Sequence, residues 1–146
     1  MMNDQIRSIM STNNVTVAPE VSFAEVRQIF ADRRIHHLPV VKDGVLVGLV
    51  TTYDLWKMNK DHDDYKHELV SDVMNTNLCK ISPIDKVGTA AELLMDRRFH
   101  ALPVVNLRGE FKGIITSFDI MRYTLNREYP TPILYKEVLT GVRASN

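Results

Sequence analysis

Asp54 and Asp119 each close a word of one form, GLVTTYD at 48–54 and GIITSFD at 113–119. Each aspartate follows a threonine, Thr51 or Thr116, by three residues, the spacing of a helix's first turn. An ionised carboxylate only accepts hydrogen bonds and can take more than one donor. A threonine hydroxyl beside unpaired N–H groups at a helix start can hold ligand oxygens. A plain structural role suits the same residues: Asp complements the helix dipole and Thr caps the helix. The chemistry on offer is binding. The sequence has no phosphate-cradling GxxxxGK[ST] loop, no GxSxG elbow and no HExxH helix word. The lone Cys79 sits in a short β-prone piece and reads as a small buried apolar residue, not a nucleophile.

A second set of candidates lies upstream. His36 and His100 precede His37 and Ala101, and each leads into LPVV. Asp61, His62, Asp63, Asp64 and His67 make a word rich in possible metal ligands, but a solvated charged linker explains it more simply, and no metal site is expected.

These residues pair because the chain says the same thing twice. MSTNNVTVAPEVSFAEVRQIFADRRIHHLPVV at 10–41 aligns without a gap on MNTNLCKISPIDKVGTAAELLMDRRFHALPVV at 74–105. GVLVGLVTTYD then matches GEFKGIITSFD after one extra residue in the second copy. A fixed-period repeat decides architecture before any local reading.

Each copy opens with a phrase of helical character, DQIRSIM or ELVSDVM. A β-prone piece follows, Val15-Thr16-Val17 or Cys79-Lys80-Ile81, ended by Pro19 or Pro83. Ser22 and Glu25 have capping-box spacing ahead of a helix whose apolar face is Phe23, Val26, Ile29 and Phe30; Val87, Ala90, Leu93 and Leu94 are the counterparts. These faces need a cover that a second chain can supply. Two strands come next, joined at Asp43-Gly44 or through the longer Leu107-Arg108-Gly109, and a second helix starts near Thr52 or Ser117. Gly48 and Gly113 mark either a close backbone approach or a bulge. The reading is α/β, two tandem β-α-β-β-α repeats: 1–60, a linker at 61–68, 69–126, and a tail at 127–146. The tail's Ile133, Leu134, Val138 and Leu139 can dock or fray.

Composition excludes several classes. Eighteen Lys and Arg against eighteen Asp and Glu leave no basic excess for nucleic acid. No apolar run approaches a membrane span, and one cysteine permits no internal disulfide, so a reducing cytoplasm is expected.

HHLPVVKDGVLVGLVTTYDL at 36–55 and HALPVVNLRGEFKGIITSFDI at 100–120 resemble the cystathionine-β-synthase (CBS) domain family, as a stand-alone tandem pair. The leading IRSIMSTN and VSDVMNTN are similar too. The resemblance implies a pseudo-two-fold pair with two clefts, commonly dimerised into a four-repeat disk. It implies a non-catalytic, regulatory role, with no required cofactor and an adenosine-containing ligand: AMP, ADP, ATP, NAD or S-adenosylmethionine. The bound state would pass to an associated enzyme or transporter. By the same resemblance Asp54 and Asp119 take the ribose hydroxyls, with Thr51 and Thr116 beside them. Thr16-Val17, Lys80-Ile81, Leu38-Pro39 and Leu102-Pro103 line the adenine end. Where nucleotide-sensing members often place Arg for phosphate, this chain has His37 and Ala101. That difference predicts unequal clefts, with phosphate favoured near His37 as that histidine protonates at mildly acidic pH. The competing reading is a structural or dimerisation module with empty clefts.

Overall fold

The computed structural model describes residues 2–58, 67–96 and 98–131. The acidic word at 61–64, Arg97 and the apolar residues of the tail lie outside the described residues.

In the first copy, α1 (Phe23–Asp32) leads to strands β1 (His37–Lys42) and β2 (Val45–Thr51), then α2 (Thr52–Met58). The short α3 (Val70–Val73) opens the second copy, followed by α4 (Val87–Met95), β3 (Ala101–Val105), β4 (Phe111–Thr116) and α5 (Ser117–Glu128). Both sheets are antiparallel hairpins, β1 with β2 and β3 with β4. A third, one-residue strand joins each in parallel: Val17 bridges Val40, and Ile81 bridges Val104. This is a mixed α/β fold repeated about a pseudo-two-fold.

Local sequence explains the elements. The Ser22 hydroxyl oxygen accepts from the Glu25 N–H at 3.2 Å and starts α1, and Phe23 and Val26 turn inward from it, fully buried. Asp43 and Gly44 both hold positive φ, 51° and 82°, the geometry of a tight hairpin whose twist matches its strands. The longer second turn is held by the Asn106 side chain, whose oxygen accepts from the N–H groups of Arg108 and Glu110, both at 3.0 Å.

The leading phrases are less helical than their composition predicts. One is a single 3-10 turn at Ile6–Ser8 and the other is α3. Their backbone groups are spent elsewhere, each on the opposite copy. Ile6 N–H donates to Asp85 O at 2.9 Å, and Ser11 exchanges bonds with Ile114 on β4 at 2.9 and 3.0 Å. In mirror fashion Val70 N–H donates to Val21 O at 2.8 Å, and Asn75 exchanges bonds with Leu49 on β2 at 2.9 and 3.0 Å. The two leaders cross.

The cores follow the crossing. Val17, Phe23, Val26, Leu38, Val40 and Val50 of the first copy are completed by Val70 from the second leader. Ile81, Ala90, Leu102, Val104 and Ile115 are completed by Ile6 from the first. Full burial of such a side chain is worth about 1.5–3 kcal/mol, so each copy depends on the other for part of its core. The hairpin tips also meet, Leu46 N–H on Gly109 O at 3.1 Å and Phe111 N–H on Gly44 O at 2.9 Å.

One expectation changes here. The apolar faces of α1 and α4 are covered within the chain, with Phe23, Val26, Val87 and Ala90 at 0% exposure. Large exposed apolar side chains gather on α2 and α5 instead, Tyr53, Trp56, Phe118, Met121 and Leu125, with Ile84, Met95 at the end of α4 and Leu107 exposed singly. Trp56 is therefore outside the packed pair, stacked on Tyr53 with ring centroids 5.9 Å apart.

The strand glycines serve the crossing directly. A Cβ on Gly113 would lie 2.4 Å from Ser11 O, and one on Gly48 2.4 Å from the Met74 sulfur. Backbone cannot yield as a thioether can. Gly113→Ala is therefore expected to lower stability in urea denaturation by about 2–3 kcal/mol, the upper range for overpacking, and Gly48→Ala by distinctly less. Equal losses would contradict this assignment.

Candidate functional site

Each TxxD word folds into a reciprocal cap at the strand-to-helix turn. Thr51 N–H and its hydroxyl both donate to Asp54 Oδ2 at 2.9 Å, while Thr51 Oγ1 accepts from Asp54 N–H at 3.2 Å. The second copy repeats this, with Thr116 N–H and hydroxyl donating to Asp119 Oδ2 at 2.8 and 3.0 Å and the Asp119 N–H bond at 3.4 Å. The capping role is thus real, and it occupies one carboxylate oxygen. The other, Oδ1, faces a cation: Lys57 Nζ at 3.8 Å in the first copy and Arg122 Nη2 at 3.3 Å in the second.

The copies differ in access. The Asp54 side chain keeps 23% of its surface exposed and that of Asp119 only 7%. Asp119 is not the open turn residue that its sequence context suggests.

Asp54 opens on a cleft of about 730 Å³. From the first copy come His36, His37, Leu49, Thr51, Thr52, Tyr53 and Lys57; from the second come Asn75, Asn77, Leu78, Cys79, Arg98, Phe99, His100, Ala101 and Pro103. The structure therefore gathers Thr51, Asp54, His37, Ala101 and Pro103 at one place. The crossed second leader is what delivers Asn75 through Cys79. Sequence reading missed this strip, and the alignment of Asn75 with Ser11 carries no hint of it without the crossing.

Other expected lining residues are elsewhere. Leu38 and Leu102 are fully buried in the two cores, with Val17 and Ile81 beside them at 8% and 4% exposure. Strand alternation explains the split: Leu102 and Val104 point to the core, whereas Ala101 and Pro103 point to the cleft. Pro39 is buried. Thr16 and Lys80 are solvent-exposed and line neither cavity. Asp119 without Thr116 borders a separate groove of about 420 Å³, shared with Ser8, Ile9 and Met10 of the first leader and Arg122, Tyr123, Asn126 and Arg127 of α5. There the Tyr123 hydroxyl donates to Asp4 Oδ2 at 2.5 Å and Arg127 Nη1 does so at 2.9 Å. The tyrosine's hydrogen bond, and the charge and hydrogen bond of the guanidinium, hold the Asp4 carboxyl below the ordinary carboxylate range. Among the described residues no cluster of three metal-ligating side chains occurs.

The electrostatics bear on one expectation. Burial, then the neighbouring His36 and His100, depress the His37 pKa from 6.5 to about 4, against a smaller opposing pull from Asp54. His37 is neutral across the range in which phosphate recognition was expected to switch. It also shares the cleft with Ala101, so the two do not divide the clefts between them.

The depressed pKa has a consequence for stability. Below pH 6.5 the unfolded chain binds a proton that the folded imidazole refuses, so the contribution is complete above 6.5 and lost as pH falls towards 4. Discounted for partial solvent screening, the loss is on the order of 1–2 kcal/mol. His37→Gln should flatten the fall of Tm between pH 6.5 and 4; an unchanged slope would contradict it.

Among described residues no helix is long and apolar enough to cross a membrane. A family model for the CBS domain matches residues 6–55 and 70–126. The chain is 37% identical over 106 residues to inosine-5′-monophosphate dehydrogenase of Thermoplasma acidophilum, covering 73% of this chain and 21% of that protein. It is 28% identical over 131 residues to CBS domain-containing protein MJ0729 of Methanocaldococcus jannaschii, covering 87% of this chain and 100% of that one. The chain thus spans about a fifth of the dehydrogenase but the whole of the smaller relative. Among solved structures, CBSX2 of Arabidopsis thaliana in complex with AMP superposes with a TM-score of 0.75 at 26% identity, over 85% of this chain and 98% of that one. The CBS domain pair of protein MJ0100, in complex with 5′-methylthioadenosine and S-adenosyl-L-methionine, gives 0.71 at 26%, with the same coverage. The two matched segments cover most of the chain: it belongs to the CBS domain family, as a tandem pair of CBS domains.

Proposed function

We propose that this CBS pair binds an adenosine-containing ligand in the cleft at Asp54 and passes its bound state to a partner. The observation that carries the reading is the cleft's composition: one wall from each copy, with an accessible carboxylate beside a threonine hydroxyl. Asp54 Oδ1 accepts from ribose hydroxyls, and the apolar strip of Leu78, Phe99, Ala101 and Pro103 takes a flat heterocycle. The similar pairs CBSX2 and MJ0100, bound to AMP and to methylthioadenosine and S-adenosylmethionine, support the ligand class. A ligand touching both walls favours one relative placement of the copies, which is how occupancy becomes a signal. The reader of that signal is an enzyme or transporter on another chain or on a longer one.

Calorimetric titration of adenosine ligands against the protein and its Asp54→Ala variant tests this. The variant should bind more weakly by about 1.5–3 kcal/mol, the value of a hydrogen bond to a charged group. It should also lose about 1 kcal/mol of stability, because the cap goes with it. Absence of binding by the unaltered protein would favour the structural module with empty clefts.

A homodimer completes the proposal. Tyr53 and Trp56 on α2 and Phe118 and Met121 on α5 occupy matching positions of the repeat and are all exposed, apolar surface that a second copy covers. Sedimentation equilibrium should give twice the chain mass, and Trp56→Glu should return it to the monomer. A monomeric parent protein at all concentrations would remove this part.

A further inference from the structure

Among the described residues, the cleft at Asp54 holds two basic side chains, Arg98 and Lys57, and each lies beside an acid. Arg98 holds both oxygens of Asp96, Nε at 3.1 and 3.2 Å and Nη2 at 2.7 Å. Lys57 lies 3.8 Å from Asp54 Oδ1 and 4.8 Å above the centre of the Tyr53 ring. At the position following the shared histidine, the second copy offers Ala101, a side chain with no donor. Leu49, Leu78, Phe99 and Pro103 complete an apolar wall. We propose that this cleft selects adenosine ligands whose 5′ substituent carries no negative charge, and discriminates against 5′-phosphates. The proposal rests on the reading of the cleft as an adenosine site and narrows it.

The physical reason is charge balance. A phosphate leaving water needs compensating charge and donors. One that reaches Arg98 meets the Asp96 carboxylate already bound there, and one that reaches Lys57 meets Asp54. His37, held neutral by burial, adds no charge near pH 7. A thioether or hydroxyl at the 5′ position carries no such cost and packs on the apolar wall.

Calorimetric titration at pH 7.5 with adenosine, 5′-methylthioadenosine, AMP and ATP tests the idea. The two uncharged ligands should bind at least about tenfold more tightly than AMP, with ATP weaker still, the scale set by one unmet charge-assisted bond. Asp96→Asn, which frees Arg98 from outside the cleft wall, should strengthen AMP by about tenfold and leave methylthioadenosine unchanged. Ala101→Arg provides a second gain-of-charge variant with the same expected direction. AMP binding as tightly as adenosine, or no gain for AMP in either folded variant, would overturn the proposal while leaving the adenosine site intact. Failure of all four ligands would instead overturn the adenosine reading, and this proposal with it.

Discussion

The structure depends on a reciprocal exchange of backbone hydrogen bonds: Ser11 with Ile114, and Asn75 with Leu49. Each pair places the leading segment of one repeat against the second strand of the other. A two-stranded hairpin is marginal alone, and a repeat of this size buries too little surface to stand comfortably by itself. Crossing the leaders solves both problems. It adds a bridge beside each hairpin and puts Ile6 and Val70 into the opposite cores at 0% exposure. The strand glycines then cease to be optional, because Gly113 must let Ser11 O come within the space of a methyl group.

The same crossing makes the site. The second leader, after passing Leu49, continues through Asn77, Leu78 and Cys79 along the cleft that holds Asp54. A wall from one repeat thus faces a carboxylate from the other, and the cleft exists only while the leaders are in place. The pseudo-symmetry is incomplete where it bears on binding. Leu78 of the open cleft corresponds in the first copy to Asn14, whose carboxamide oxygen is buried with no hydrogen-bond partner among the described residues. Asp119 is three times less accessible than Asp54, at 7% against 23%. Two copies of one word have become one more accessible carboxylate and one less accessible one.

Much of this is legible in the residues. The repeat, the Asp43-Gly44 hairpin, the Ser22 cap and the TxxD turns are local patterns, and local patterns survive folding. Proline-flanked Val17 and Ile81 read correctly as β-like, although each contributes a single bridge. What the sequence conceals is long-range. Nothing in DQIRSIM says that its backbone will be claimed by Asp85 and Pro83, so it reads as helix. The apolar stripe of α1 looks uncovered until Val70 arrives from the opposite copy. His37 looks like a pH-sensitive phosphate ligand until burial among His36 and His100 is visible. Leu38 and Leu102 belong to the same LPVV words as Pro39 and Pro103, and only the strand's facing tells core from cleft.

The central claim is that the crossed leaders make the two repeats one cooperative unit. Native-state hydrogen exchange measures it directly at the amides of Ser11, Leu49, Asn75 and Ile114. The account predicts that these four open with the same free energy as the core amides of Val50 and Ile115, and with the same dependence on denaturant. Leader amides that exchange as frayed ends while both hairpins stay protected would contradict it, as would two repeats that open at separate free energies.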